Sequence, residues 1–485
     1  MRTFGVLILL GVTSCASGQP GVPTPPGPAA GTVAIVGASV VDMTGGPAVL
    51  ATIIIEGDRI SEVGPAERVV IPAAARVIHA PGAFVIPGLW DMHAHTTYAS
   101  PAEVERAFFP VLVAHGVLGI RDPASRFPAE QTRQWRSGIA EGRILGPRLA
   151  ALGRVVDARS TTIGAVLARN EVEARTAAQR LRHDAYDFAK PYNDLSAAAY
   201  RALAEEATRL GLGLAGHLPY AVDASEASDR GQRSIEHLTN LWFEVASAED
   251  VIRERILAGL ARDESPVALF QVKIDSLFPL AFGTDDPEKE RELFARFVRN
   301  GTWQVPTLVV DRHFAAVNPP DAAAQRLLPR WVRESGRPLD QFLASLTPLQ
   351  RATLTQLYRR EAAMVGRMQR AGVGILAGTD APLAYVAPGA ALHDELEALV
   401  RDAGLTPLEA LRAATVNAVA YLGAADSLGT VTSGKAADMV LLDADPTENI
   451  GNVRQIRAVI VGGRYLDRMM LDTLLAGVER AATRR

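Results

Sequence analysis

Trp90-Asp91-Met92-His93-Ala94-His95 places two histidines two residues apart at the end of the apolar run Ala83-Phe84-Val85-Ile86-Pro87-Gly88-Leu89. In a β-strand, residues i and i+2 point to the same face, roughly 7 Å apart. Two imidazoles on one face can close on one transition-metal ion. Further along, Lys190, His217, His237 and Asp380 each follow an apolar strand candidate. A lysine, two more histidines and an aspartate at suitable intervals strengthen the reading of the His-x-His pair as part of a metal site.

The elements that must hold these residues are legible as alternation. Val117–Asp122, Tyr186–Lys190, Gly213–His217, Ser234–His237, Gln304–Val310 and Gly374–Asp380 read as strands that end in polar residues. Ala/Leu/Arg/Glu-rich helical stretches separate them, and Leu195 to Arg209 is a good amphipathic helix. Lys190, His217 and His237 succeed one another at about the length of one β–α unit. Repeats of this kind predict an α/β fold, a parallel (β/α)8 TIM barrel whose chemistry lies at the carboxyl ends of the strands.

β-branched runs at Val33–Asp42 and Ala51–Ile60, and again at Ala437–Asp443 and Ile456–Gly463, read as short strands. They predict a small composite β-domain built from both termini. The expected layout is a signal peptide over 1–14, a tether over 15–31 and the N-terminal part of a β-sandwich domain over 32–84. The barrel is expected over 85–425, with helical insertions near 241–302 and 311–370. The C-terminal part of the β-sandwich follows over 426–466, and a helical tail over 467–485.

Met1-Arg2-Thr3, an apolar run to Gly11 and then Val12-Thr13-Ser14-Cys15 read as a secretory signal. The last four residues resemble a bacterial lipoprotein cleavage box. That likeness implies cleavage before Cys15, a lipid on its thiol and a place in the bacterial cell envelope, anchored to the membrane. A plain secretory signal with an incidental cysteine is the alternative. The Pro/Gly-rich residues 16–31 suit a semi-extended spacer. Cys15 is the single cysteine among 485 residues, so disulfides and thiolate metal ligands are excluded. Apolar residues at 48% and charged residues at 21% are ordinary for a globular protein. A net charge of −4 without basic blocks argues against nucleic acid as a partner and leaves a small molecule as the substrate. Composition leaves the oligomeric state open.

The ordered set His93, His95, Lys190, His217, His237 and Asp380 resembles the metal-dependent amidohydrolase superfamily, in its imidazolonepropionase-like and prolidase-like branches. Gly119-Ile120-Arg121-Asp122, Ser234-Ile235-Glu236-His237, Thr406–Thr415 and Gly434–Val440 are similar to signatures of that family. The resemblance implies two divalent ions, with zinc expected. His93, His95 and Asp380 would hold one and His217 and His237 the other, with a carboxylated Lys190 as the bridge. An ammonium has no lone pair, so lysine can ligate only after such a modification. The resemblance further implies hydrolysis of a C–N bond in an amide, cyclic amide, dipeptide or N-acyl amino acid. The attacking group would be a hydroxide shared by the metals, with Asp380 as the catalytic proton shuttle.

A lactonase or phosphotriesterase activity on the same site, or a non-catalytic binding lipoprotein, are the competing readings. Tyr98, Tyr192 and His313 are candidate substrate contacts. Arg121 and Asp122 are expected to pair with each other at the mouth, and His115 to sit as a cation at a helix end. Individually, His217 and His237 also fit satisfied core histidines, Lys190 a partner of Asp187 or Asp194, and Asp380 a helix cap. The chain departs from its relatives at Leu218-Pro219, where many carry a second histidine, and at Val155–Ser160, where many carry a Gly-Gly-His loop. Both departures bear on the substrate and spare the metal ligands.

Overall fold

The computed structural model describes residues 31–96, 100–159, 164–262, 264–315 and 321–483. Cys15, the signal and nearly all of the tether, and also Tyr98, lie outside the described residues.

The N-terminal β-branched runs form β1 (Thr32–Val40), β2 (Val49–Glu56) and β3 (Arg59–Gly64), joined antiparallel. The run expected over Ala51–Ile60 is split by the turn at Gly57, whose φ of 60° suits a residue without a Cβ. β4 (Arg76–His79) and β5 (Phe84–Pro87) lie parallel to β1. From the far end of the chain come β14 (Met439–Leu442), β15 (Ile456–Val461) and β16 (Arg464–Asp467). β14 pairs antiparallel with β5, with Met439 opposite Pro87, so the two ends share one sheet ordered β16-β15-β14-β5-β1-β2-β3. Ile35, Ile53, Ile55, Val85, Met439, Leu441 and Ile460 alternate inward to fill its core.

The middle of the chain is parallel. β6 (Leu89–Asp91), β7 (Val117–Asp122), β8 (Arg148–Asp157), β10 (Phe188–Pro191) and β11 (Gly213–Leu214) neighbour one another in that order, and the short β9 (Val166–Leu167) lies beside β8. β12 (Ser234–Glu236) pairs with β13 (Trp303–Val305). Parallel bridges link Gly216 to Ile235, Gln304 to Ile375 and Ala94 to Ala381. Met92 N–H also reaches Ala377 O at 2.9 Å. Succession therefore runs from β6 through β13 to the segment around Ile375–Ala381 and back to the continuation of β6. Gly119 and Gly374 leave no room for a Cβ beside the Trp90 and Trp303 indoles, which is how bulky rings fit between neighbouring strands.

The helix expected over Leu195–Arg209 spans Ala197–Leu210, capped by Ser196 and ended by Gly211 at φ 62°. The strand expected over Gln304–Val310 is corrected: it stops at Val305, and a helix runs from Leu308 to Phe314. Pro306 lacks an N–H and Thr307 takes a left-handed conformation, which together break the strand. The long intervals are helical, including Glu249–Ala261, Pro287–Asn300 and Pro348–Arg370. The C-terminal tail is the helix Arg468–Thr483. Among the described residues no helix is long and apolar enough to cross a membrane.

Candidate metal centre

Polar residues at strand ends converge because the strands are parallel and their carboxyl ends share one side. The continuation of β6 carries His93 and His95. It is fixed by the fully buried Asp91, which accepts from His93 N–H at 3.1 Å, from Thr379 N–H at 3.1 Å and from the Thr379 hydroxyl at 2.6 Å. Asp380 N–H then donates to His93 O at 2.7 Å. Asp380 and His237 both hold φ near 60°, a left-handed conformation that costs of order 1–3 kcal/mol for a non-glycine residue. These turns set their side chains toward the other strand ends.

Every one of the four histidines has its Nδ1 occupied. His93 Nδ1 lies 2.7 Å from Glu236 Oε2, and His95 Nδ1 3.2 Å from Asp122 Oδ1. His217 Nδ1 lies 2.9 Å from Asn193 Oδ1, and His237 Nδ1 2.7 Å from the Thr307 hydroxyl. The Glu236 and Asp122 carboxylates and the Asn193 amide oxygen accept, which places a proton on Nδ1 of His93, His95 and His217 and leaves a lone pair on Nε2, while the Thr307 hydroxyl can accept from His237 or donate to it. The Nε2 atoms of His93 and His95 turn toward Asp380. Asp380 Oδ1 is 2.8 Å from His95 Nε2 and 3.3 Å from His93 Nε2. Lys190 Nζ is 3.4 Å from His93 Nε2. Ring centroids of His93 and His237 are 4.5 Å apart, and those of His217 and His237 4.9 Å.

Electron-rich atoms crowded at this spacing need a proton or a cation between them. His217 Nε2 is buried with no hydrogen-bond partner. His93, His237 and Asp380 each offer a donor atom within 4.8 Å of the others. Nitrogen and carboxylate donors with their outer nitrogens held by carboxylates or hydroxyls are the arrangement that binds a borderline divalent metal. The residues present fit such an ion.

Electrostatics agree with that donor set. Burial pushes His93 down, and for His237 it does so to about 3, which favours the neutral imidazole a metal would need. His217 falls well below the ordinary value for the same reason, with Lys190 adding to the effect. For His95, burial is outweighed by Asp122 and Asp380, which raise it. Asp380 is driven well below the carboxylate range: His237, His93 and His95 overcome its burial. Lys190, only 2% exposed, is pushed down by burial against the pull of Asp380 and Glu236. Among the described residues no carboxylate lies within 4 Å of its Nζ, so pairing with Asp187 or Asp194 is not what holds it. Asp187 instead binds Arg136, and Asp194 faces Arg159.

Tyr192 stacks on His217 with ring centroids 4.0 Å apart, next to the cluster. His313 stands apart from the imidazole group, stacked on Tyr385 at 3.4 Å. Asp380 caps no helix, since the next one begins at Ala390. Two expectations are corrected. Arg121 and Asp122 do not pair: neighbouring strand residues point to opposite faces, so Arg121 reaches Glu236 and Asp122 reaches His95 and Thr96. His115 does end the helix Phe109–Ala114, but as a half-buried ring whose Nδ1 lies 2.7 Å from Val111 O, and burial lowers its pKa, which disfavours the cation.

Glu236, Asn193 and Thr307 were not singled out from the sequence, and Asp122 was given another partner. Each lies within three residues of a strand end, which was the available signal; which histidine each would meet required the fold.

Residues 345–466 match the model described as the Amidohydrolase family. An ochratoxinase from Aspergillus niger is 40% identical over 91 residues, 19% of this chain; the match takes in 18% of that relative's length. Three solved structures share the fold. A bottromycin amidohydrolase superposes with TM-score 0.69 at 22% identity, covering 93% of this chain and 91% of that one. The A. niger ochratoxinase does so with TM-score 0.62 at 20% identity, over 90% and 96%. A Xaa-Pro dipeptidase with bound methionine gives TM-score 0.62 at 18% identity, over 90% and 100%. The likeness to amidohydrolases read from the sequence is borne out over residues 345–466, and the solved structures share the fold over most of the chain.

Proposed function

We propose that the chain is a binuclear metal-dependent hydrolase of C–N bonds, acting on a dipeptide, cyclic amide or N-acyl amino acid. The observation that carries the reading is the convergence of four histidines, each with Nδ1 held by a neighbouring oxygen, while Asp380 Oδ1 lies within 3.3 Å of the Nε2 atoms of His93 and His95 and His217 Nε2 is buried without a partner. His93, His95 and Asp380 would hold one zinc ion, His217 and His237 the other, and Lys190 as a carbamate would bridge them. A lysine amine kept neutral by burial is free to add carbon dioxide. The bound ions would supply a water acidified to near-neutral pKa and a polarised scissile carbonyl.

The chain's own residues supply orientation and proton transfer. Glu236, Asp122, Asn193 and Thr307 fix the imidazoles. Asp380 Oδ1, within 3.3 Å of both His93 and His95, takes the proton of the attacking water and returns it to the nitrogen of the leaving amine. Tyr192 borders the substrate, and His313 lines a more distant wall. The ring of parallel links through β6–β13 and Ile375–Ala381 supports a (β/α)8 barrel, and the shared sheet of β1–β5 and β14–β16 supports a composite β-domain. A lipid on Cys15 would hold the enzyme at the bacterial envelope.

The test is metal analysis of purified protein together with a panel of dipeptides, N-acyl amino acids, lactones and phosphotriesters. Two zinc ions per chain and amide turnover are expected. Lys190→Ala should lose most of the second ion and most turnover, with partial rescue by short carboxylic acids. Two ions and unchanged turnover in that variant would sink the bridge.

A further inference from the structure

The helix Leu308–Phe314 begins in an unusual way. Its N-cap residue is Thr307, a good capping type, yet the Thr307 side chain caps nothing. Its hydroxyl lies 2.7 Å from His237 Nδ1 instead. A threonine hydroxyl is aimed by one χ1 rotamer at a time, so it cannot serve both the helix start and the imidazole. The vacant capping role is filled from another helix. Glu395, fully buried on Ala390–Arg401, accepts the Val309 N–H through Oε2 at 2.8 Å. An acceptor at that position satisfies one of the first-turn donors a helix leaves open.

We propose that Glu395 is a positioning residue for His237. By capping Leu308–Phe314 in place of Thr307, it frees the Thr307 hydroxyl to accept the His237 Nδ1–H. That bond selects the tautomer that leaves the ring's lone pair on Nε2, in the cluster His237 forms with His93 and Asp380. His237 sits at φ 58°, with its N–H on Val305 O at 2.8 Å, so its backbone is already tied to β13. Only the ring orientation and tautomer are left for Thr307 to set. Without Glu395, the nearest acceptor for the first-turn donors is Thr307 itself, and its rotation would release the ring. The consequence for metal binding rests on the reading of His237 as a ligand; the tautomer does not.

The test reads both. In metal-free protein with 15N-labelled histidine, the His237 signals, assigned by their loss in His237→Gln, should report a single Nδ1–H tautomer. Glu395→Ala should convert them to a mixture, and Thr307→Val should do the same. Zinc affinity should fall roughly 10–100-fold in either variant, the range for loss of a group that orients a ligand. Glu395→Ala combined with Thr307→Val should be no worse than Thr307→Val alone, because both act through one bond. Glu395→Gln keeps an acceptor oxygen and should restore the tautomer and the affinity. Should Glu395→Ala fail to accumulate, Glu395→Met fills the same volume without an acceptor and takes its place. An unchanged His237 tautomer in the folded variant, or losses that multiply in the double variant, would overturn the proposal. A tautomer shift in a protein that binds no zinc would uphold Glu395's role and remove the metalloenzyme reading instead.

Discussion

Glu236→Gln tests how the buried side of the site is held. Arg121 Nη2 lies 2.7 Å from Glu236 Oε2, and both side chains are 0% exposed. The same oxygen is 2.7 Å from His93 Nδ1, while Glu236 Oε1 accepts from the Ser234 hydroxyl at 2.5 Å. Arg121 also donates to Met92 O and to the hydroxyls of Ser234 and Tyr421, so its guanidinium is fixed. The glutamine keeps the shape and removes the charge, leaving Arg121 buried without a counter-ion. Two unit charges ~4 Å apart at an effective dielectric of ~20 interact by ~4 kcal/mol. Loss of one partner from a buried pair costs ~3–5 kcal/mol, which agrees.

The pH dependence has a definite sign. Burial would raise the Glu236 carboxyl, but Arg121 and His93 outweigh it and hold the group far below the ordinary range. A depressed folded pKa gives stability that is present above the unfolded value of ~4.3 and lost as pH falls through the folded one. Urea unfolding of metal-free protein should therefore show a deficit of ~3–5 kcal/mol at pH 7 that shrinks in acid. Arg121→Met added to Glu236→Gln should recover part of it. A deficit under ~1 kcal/mol at pH 7, typical of an exposed pair, or one that persists unchanged in acid, would refute the reasoning.

Asp380→Asn should lower metal content modestly while kcat on amides drops ~10²–10⁴-fold, with a smaller loss on esters of good leaving groups; near-normal amide turnover would move the proton shuttle elsewhere. Burial raises Asp311 to about 7 and Glu395 to about 8, and lifts Glu361 well above its usual value. These groups stay protonated in the fold but ionise from ~4 when unfolded, so their stabilisation is full below ~4 and lost as pH climbs through 7 and 8. Glu361→Gln should flatten that decline in metal-free unfolding between mildly acidic and alkaline pH, and an unaltered slope would count against it. Cys15→Ala, expressed in a bacterium, should release the protein from the membrane fraction or block its processing while purified protein keeps its turnover. Wild type recovered wholly soluble and without lipid would end the anchor reading.

Part of the site was legible because its residues obey local rules. His93 and His95 advertise themselves by i, i+2 spacing after an apolar run, and Lys190, His217, His237 and Asp380 by following such runs. The helix over Ala197–Leu210 was readable from its apolar face, and β1, β2, β14 and β15 from β-branched runs. The strand over Gln304–Val310 was misread because Leu308-Val309-Val310 has strand composition. Its helical state depends on Thr307 turning left-handed and on a cap from Glu395, and neither is a property of that segment.

What the sequence determined by itself is the inventory: which donors exist, in what order, and on what kind of element. Those follow from side-chain chemistry and from periods of two and about 3.6 residues, both local. Only the tertiary structure decided how each donor is presented. Glu236 meets His93 across 143 positions, Thr307 meets His237 across 70, and Asp380 meets His95 across 285. A hydrogen bond has no memory of chain separation and leaves no periodicity in the sequence. The hydrogen bonds that hold the imidazoles, the lowered Asp380, the lowered Lys190 and the exchange of partners between Arg121 and Asp122 therefore come into being only when the strand ends are brought together.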